Sequence, residues 1–482
     1  MQTRDRRFCW RIRGSTTPTR IFRVHCCKNI NVQPSLELLD YYQDMRSIRL
    51  GPRQREGAVK LNSDEVAVSQ RKQRMVTLKP TTEVSSSAAE YSVVDLIDAT
   101  RISFMLTPKG RGSFRAQAGE ILCTLQALLE QQVQPAVVVI QTVFLRNASE
   151  QAECERLLAA HYGSDAPVTN FVLQPPCCGA ALALEAWTIA GASARVEHFG
   201  SHTVAVSYDS VRWVYCAGIQ SANVAQAGAY SVSMDVLDKM ESALAKAGAG
   251  FEHVVRTWFY LGNIIEPEDR TQRYKELNRA RTDFYHGIRF CHSLSEPMIP
   301  QGVYPASTGI GTLGMGLVGS CLSLQTERKD ALLLPLENPR QTPAYAYPPR
   351  HSPQSPKFSR AMALLLGQYA ITWVSGTASV INSASCHQGN IEKQTEQAIA
   401  NISRLIAADN FAFHGVKGVG ADLLDFAKIR VYLKRPEHFA TCKAICERHF
   451  GRVPAIYAVA DICRPELLVE IEGVAFSRNS KV

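Results

Sequence analysis

The sequence predicts an α/β (α+β) protein made of three tandem ββαβαββ units that fold together as an intramolecular pseudo-trimer. Three observations lead there. A helix–strand–helix–strand–strand layout occurs three times along the chain. Each strand–helix–strand run requires a parallel crossover, which places helices on one face of a mixed sheet. The other face then needs a cover, and two sister units in the same chain can supply it.

The first helix of each unit is "QAGEILCTLQALLEQQ" (117–132), "SVSMDVLDKMESALAKAG" (231–248) and "NIEKQTEQAIANISRLIAAD" (390–409), each apolar at helical spacing. A β-rich strand follows: "VVIQTVFLRN" (138–147), "VVRTWFYLGN" (254–263) and "FAKIRVYLKR" (426–435). Next comes a second amphipathic helix, "ASEQAECERLLAAHYG", "YKELNRARTDFYHG" and "PEHFATCKAICERHFG", the last two stopping on Gly. Two strands close each unit, the last pair being "VPAIYAVADIC" and "ELLVEIEGVAF". Units two and three also open with hairpin-like pairs, "HTVAVSYDSVRWVYCAG" and "MALLLGQYAITWVSG".

The organisation expected is a basic extension over 1–85, a degenerate unit over 90–193, a second unit over 196–325, a Pro-rich loop over 326–357 and a C-terminal unit over 358–478. The loop carries Arg340, Tyr345, Tyr347, Arg350 and His351, with Arg360 just beyond it. These are too many recognition side chains for a spacer, and the segment reads as a loop packed over a site.

The net charge of +9 belongs to the leading segment, because residues 1–80 hold 17 Lys+Arg against 7 Asp+Glu and leave −1 for residues 81–482. A basic, nucleic-acid-reading body is excluded on that distribution. The Arg-rich lead lacks an apolar core long enough for a secretory signal; an extension or over-long reading frame, with Met75 a candidate start, is expected ahead of a transit peptide. There is no apolar run of membrane-spanning length, and the 14 cysteines are scattered without a CxxC pair. A cytoplasmic protein with reduced thiols is expected, a monomer or weak homo-oligomer. "GIGTLG" (309–314) satisfies GxGxxG, but a strand-like segment follows where the fingerprint needs a helix. No metal-ligand spacing occurs, so no metal is expected.

The units, and the closing "VEIEG" in particular, resemble the RidA/YjgF family of small trimeric proteins, whose ligand sites lie in clefts between subunits. Together with "ENPRQTPAYAYPPRHSPQSPKFSRA", "WVSGTASV" and "ADICRPELLVEIEG", the chain more specifically resembles the chorismatases over roughly residues 200–478. The resemblance implies cofactor-independent cleavage of chorismate to pyruvate and a dihydroxycyclohexadiene carboxylate or a hydroxybenzoate. It implies Glu470 as the catalytic acid. Arg281, Tyr345, Tyr347 and Arg360 would hold substrate carboxylates, and Gly376 and Ala378 would line the ring. Hydroxybenzoate-forming members place a nucleophilic cysteine in the strand before the glutamate; the position read as equivalent is Val459, which points away from that product. His351 stands where an aromatic Tyr is expected.

The residues suit this chemistry. Protonating the enolpyruvyl methylene carbon of a dianionic substrate requires an acid whose pKa is raised by an apolar wall, and Val469 and Ile471 flank Glu470. Two carboxylates require fixed cations, for which Arg offers a planar fork. Arg256 and Lys428, on the central strands, are the alternative cations. Glu472 shares a strand face with Glu470, but unit one keeps an acid there (Glu185), so Glu472 reads as structural. Asp461 and Arg464 read as an ion pair. Only unit three keeps both acids, which predicts one working cleft between units two and three. The competing readings are a RidA-type enamine/imine deaminase, whose Arg is replaced here by Ile456 in "PAI", and a non-catalytic carboxylate-binding pseudo-trimer.

Overall fold

In the computed structural model the described residues are 81–84, 89–221, 228–292 and 303–479. Three six-stranded sheets form the framework. The first comprises β1 (Thr81–Val84), β2 (Ala89–Asp95), β3 (Thr100–Leu106), β4 (Ala136–Leu145), β5 (Val168–Val172) and β6 (Leu182–Ala190). The second comprises β7 (Arg195–His198), β8 (Thr203–Tyr208), β9 (Val211–Gln220), β10 (Val254–Gly262), β11 (Ala306–Thr312) and β12 (Leu317–Thr326). The third comprises β13 (Ala331–Leu336), β14 (Ala361–Leu366), β15 (Tyr369–Ala378), β16 (Phe426–Leu433), β17 (Ala455–Val459) and β18 (Val469–Arg478).

All three sheets share one spatial order, β1-β2-β3-β6-β4-β5 in the first and its equivalent in the others. The only parallel pairs in them are β4–β5, β10–β11 and β16–β17. Each of these pairs is bridged by a helix, as a parallel connection requires. Two helices recur in each unit, α1 (Phe114–Glu130) and α2 (Gln151–Tyr162), α3 (Ala229–Lys246) and α4 (Arg273–Phe284), and α5 (Ile391–Ile406) and α6 (Phe439–Phe450), and the third unit adds a short helix over Ala408–Phe413. Local chemistry sets their ends. The Asn390 side chain caps α5 by accepting from the Lys393 N–H at 2.9 Å, and α6 stops at Gly451 with φ 66°.

The helices cover one face of each sheet. Ala398, Ile399, Ile402 and Leu405 of α5 pack on Val374, Ile429 and Ile471, while Val232, Val236 and Met240 of α3 pack on Val214 and Phe259. The opposite faces meet one another. Trp187 of the first sheet, Trp213 and Tyr215 of the second, and Trp373 and Phe476 of the third belong to a single apolar cluster. None of the described helices is long and apolar enough to cross a membrane.

Two elements differ from expectation. Each sheet has a further leading strand, so the units read βββαβαββ; the 326–357 stretch read as a loop is strand over Ala331–Leu336, paired to β14. Pro335 is compatible with that strand because β13 lies at a sheet edge. Unit one also opens with paired strands, β2 and β3, for which no hairpin was expected. The 1–85 extension lies outside the described residues apart from β1, which pairs with β2.

Candidate active site

The ends of β11, β15 and β18 place the site. Ser307 N donates to Ser375 Oγ at 2.9 Å and Gly376 N to Thr308 Oγ1 at 3.0 Å, tying the second sheet to the third. β15 slips register against β18 between Val374 and Thr377, a bulge that turns the Gly376 N–H toward β11. Beyond the bulge Ala378 lies opposite Glu470. A cleft opens here, lined by residues of the second and third units only. Arg281, Tyr347, Arg360, Gly376, Ala378 and Glu470 all line it.

Glu470 is 4% exposed, and among the described residues its carboxyl makes no hydrogen bond. Burial, reinforced by the charge of Glu472, pushes its pKa up to about 8 against the opposing pull of Arg256 and Arg360. The carboxyl packs directly against Gly376: a Cβ added there would overlap Glu470 Oε1 and fall 2.8 Å from the carboxyl carbon.

Glu472, two residues on, has the opposite environment. Its carboxylate accepts from Arg256, from Trp258 Nε1 at 2.9 Å, from Thr308 Oγ1 at 2.5 Å, from Arg430 at 3.1 Å and from Tyr432 OH at 2.7 Å. Burial alone would raise this carboxyl, but the guanidiniums of Arg256 and Arg430 outweigh it and hold Glu472 ionised. Glu185 meets Arg430 and Lys428 in the same network, and its pKa is lowered to about 2. Arg256 and Lys428, the alternative cations, are thus taken up by carboxylates and do not line the cleft.

The cleft arginines are not taken up. Arg281 is 1% exposed; it donates to Asn278 Oδ1 and to Ser307 Oγ at 3.3 Å, and its Nε has no partner among the described residues. Arg360 donates to Tyr347 OH at 2.6 Å and to the Thr342 carbonyl at 3.2 Å, and its Nε is likewise unpartnered. The Phe358 ring is near both guanidiniums, 6.0 Å from Arg281 and 5.5 Å from Arg360. The carboxyl behind Arg360, Glu337, accepts the Arg360 backbone N–H at 3.2 Å, and burial pushes its pKa to about 8, so near neutrality it leaves the guanidinium uncancelled. Two buried cations without carboxylate partners among the described residues are costly in isolation, and the charge they lack is that of an anionic ligand.

Three readings are corrected. Tyr345 does not line the cleft: Ala344–Ala346 form a single 3-10 turn, which sends its ring against Tyr304 at 5.6 Å while Tyr347 faces the site. Asp461 and Arg464 are not an ion pair. Asp461 meets Lys434 at 3.8 Å, whereas Arg464 donates to the Ser383 carbonyl and Ser385 Oγ, lies 5.3 Å over Tyr347 and lines the cleft as a third guanidinium. Finally, Val459 is outside the cleft, and the cysteine inside it is Cys463, beside Arg464. Burial pushes that thiol up to about 12. His351 also lines the cleft, its Nε2 3.2 Å from Ser383 Oγ. The motif "ADICRPELLVEIEG" held both Cys463 and Arg464, and only the spacing of Asp461 argued for a different partner.

Comparison with known proteins places this geometry. Residues 352–477 match the family model "Endoribonuclease L-PSP". A 3-hydroxybenzoate synthase of Streptomyces hygroscopicus is 31% identical over 58% of this chain and 78% of its own length. A chorismatase of Streptomyces rapamycinicus is 30% identical over 56% of this chain and 78% of its own. The chain belongs to the chorismatase family. A chorismatase crystal structure, 22% identical, covers 70% of this chain and 93% of its own with a TM-score of 0.52, a likeness of fold. The family assignment and the fold agree with the three mixed sheets, and the L-PSP match falls on the third unit, which carries Glu470.

Proposed function

We propose that this member of the chorismatase family cleaves chorismate in the cleft between its second and third units, which pack with the first as a pseudo-trimer. The observation that carries the proposal is one unpaired, buried carboxyl, Glu470, facing unpaired Arg281 and Arg360. A protonated acid and two free cations are what a dianionic enol ether needs.

In the proposed reaction, Arg281 and Arg360 hold the two substrate carboxylates, with Tyr347 fixing Arg360. Glu470 gives its proton to the enolpyruvyl methylene carbon, and positive charge develops at the ether carbon. Water adds to that carbon and returns a proton to Glu470. The hemiketal then collapses to pyruvate and the dihydroxycyclohexadiene carboxylate. Gly376 and Ala378 leave room for the ring against β15.

One observation favours a second product. Cys463 lines the same cleft, which supports a hydroxybenzoate as a second product. Chorismate converts to pyruvate and hydroxybenzoate with no net uptake of water, so both outcomes balance.

Incubating the protein with chorismate and identifying the products tests both. Pyruvate release that is lost in Glu470→Gln is expected. Hydroxybenzoate that disappears in Cys463→Ala, with pyruvate retained, would assign the second product. No pyruvate from the folded wild-type protein refutes the proposal and leaves carboxylate binding without turnover.

A further inference from the structure

The centre of the molecule holds a second cavity, apart from the cleft and unused by the proposed reaction. Its walls come from all three sheets: Arg101, Glu185 and Trp187 from the first, Trp258 from the second, Lys428 and Arg430 from the third. Its volume is about 50 Å³, room for roughly three waters or one small ion.

The charges around this cavity do not balance. Four cations, Arg101, Arg256, Lys428 and Arg430, lie at or beside it against two carboxylates, Glu185 and Glu472, an excess of two positive charges. Glu472 joins Arg256 to Arg430, and Glu185 joins Arg430 to Lys428. Three of the cations share those two carboxylates, and Arg101 is the one with no carboxylate partner among the described residues. It is 4% exposed, and its one hydrogen bond among the described residues is to Tyr215 OH at 3.0 Å. Its Nε and Nη1 have no partner among the described residues. The indoles of Trp187 and Trp213, 4.2 and 5.1 Å from its Cζ, offset part of this charge through their π faces. They are not counter-ions, and a buried guanidinium without one is unfavourable.

We infer that the central cavity binds one small monovalent anion, a halide or a short planar oxyanion, between Arg101 and the Lys428–Arg430 pair. The site is built from all three units, so the anion would act as a counter-charge that holds the sheets' inner faces together. It is independent of the cleft: Glu470, Arg281 and Arg360 do not line this cavity.

A ligand that binds only the folded state raises Tm in a saturable, concentration-dependent way. The full chain is therefore dialysed into sodium gluconate, whose anion is too large for the cavity, and melted in series of sodium bromide, nitrate and formate at constant ionic strength. At least one small anion should raise Tm with saturation, and the bromide and oxyanion arms identify which class is taken. In Arg101→Met the saturable rise should vanish. Identical melting in gluconate and in every small anion overturns the inference, as does an equal rise in the variant. If Arg101→Met does not fold, crystals of the wild-type protein grown in the most stabilising anion decide: density for it in the cavity supports the site, and its absence refutes it.

Discussion

Gly376→Ala separates the chemistry of the cleft from its stability. The added methyl would overlap Glu470 Oε1 and sit 2.8 Å from the Glu470 carboxyl carbon and 3.2 Å from Thr308 Cγ2. Ordinary carbon–carbon contacts are about 3.5–4.0 Å, so the Glu470 carboxyl has to retreat by roughly 1 Å. That group is the far end of a flexible side chain, and Gly376 has no positive φ, so the backbone accepts Ala. Replacing Gly by Ala inside a strand adds about 0.5–1 kcal/mol of stability on its own, which offsets much of the crowding. The expected variant keeps its fold and Tm within a few degrees. A misplacement of about 1 Å at a reacting group lowers turnover by about 10²-fold. Continuous coupled detection of pyruvate, with thermal unfolding on the same preparation, measures both. If Gly376→Ala stays within about threefold of wild type in kcat while its Tm is unchanged, Glu470 is not the acid at that position.

Other outcomes follow from the same charges. Because Glu470 must be protonated to act and its pKa is about 8, activity should be present at neutral pH and fall as pH rises through that value. The raised pKa also makes the folded state hold a proton that the unfolded chain releases. Wild-type stability should therefore decline as pH rises from the ordinary value of 4.5 toward about 8, with Glu337 contributing in the same window, and Glu470→Gln should make that decline shallower. Arg281→Met removes a buried cation that no carboxylate balances, so Tm should rise while the substrate loses a charge-assisted contact of about 1.5–3 kcal/mol, read as a KM about 10–100-fold higher. Glu472→Gln strands Arg256, leaves Arg430 only its Glu185 partner and should lower stability by about 3–5 kcal/mol in chemical denaturation; a loss of activity with unchanged stability would instead place Glu472 in the chemistry.

Much of the fold was legible because its signals are periodic and repeated. The long helices and central strands recur three times, and the crossover rule turns that order into mixed sheets. What escaped was local. β3 is buried at every position but its first, so it lacks the alternation that marks a half-exposed strand. β13 contains Pro335, which argues against a strand until the edge of a sheet is known to be there. In the site, Glu470 was separable from Glu472 by comparing units, since Glu185 and Glu472 converge on the same Arg430. Tyr345 and Tyr347 could not be separated without the 3-10 turn that rotates one away. Arg464 was misassigned because a three-residue spacing suggests a pair only on a helix, and the segment is a loop.

The cleft draws Arg281 from one unit and Glu470 from another, yet both are encoded in a single chain. In an assembly of three identical subunits, any substitution appears three times and every cleft must tolerate it. Here the units are free to differ: one position can become acidic in unit three while its counterparts in the others become apolar or carry out structural tasks. The covalent link also makes the pairing of the two site halves independent of protein concentration, so dilution that would dissolve a cleft between separate subunits leaves this one complete.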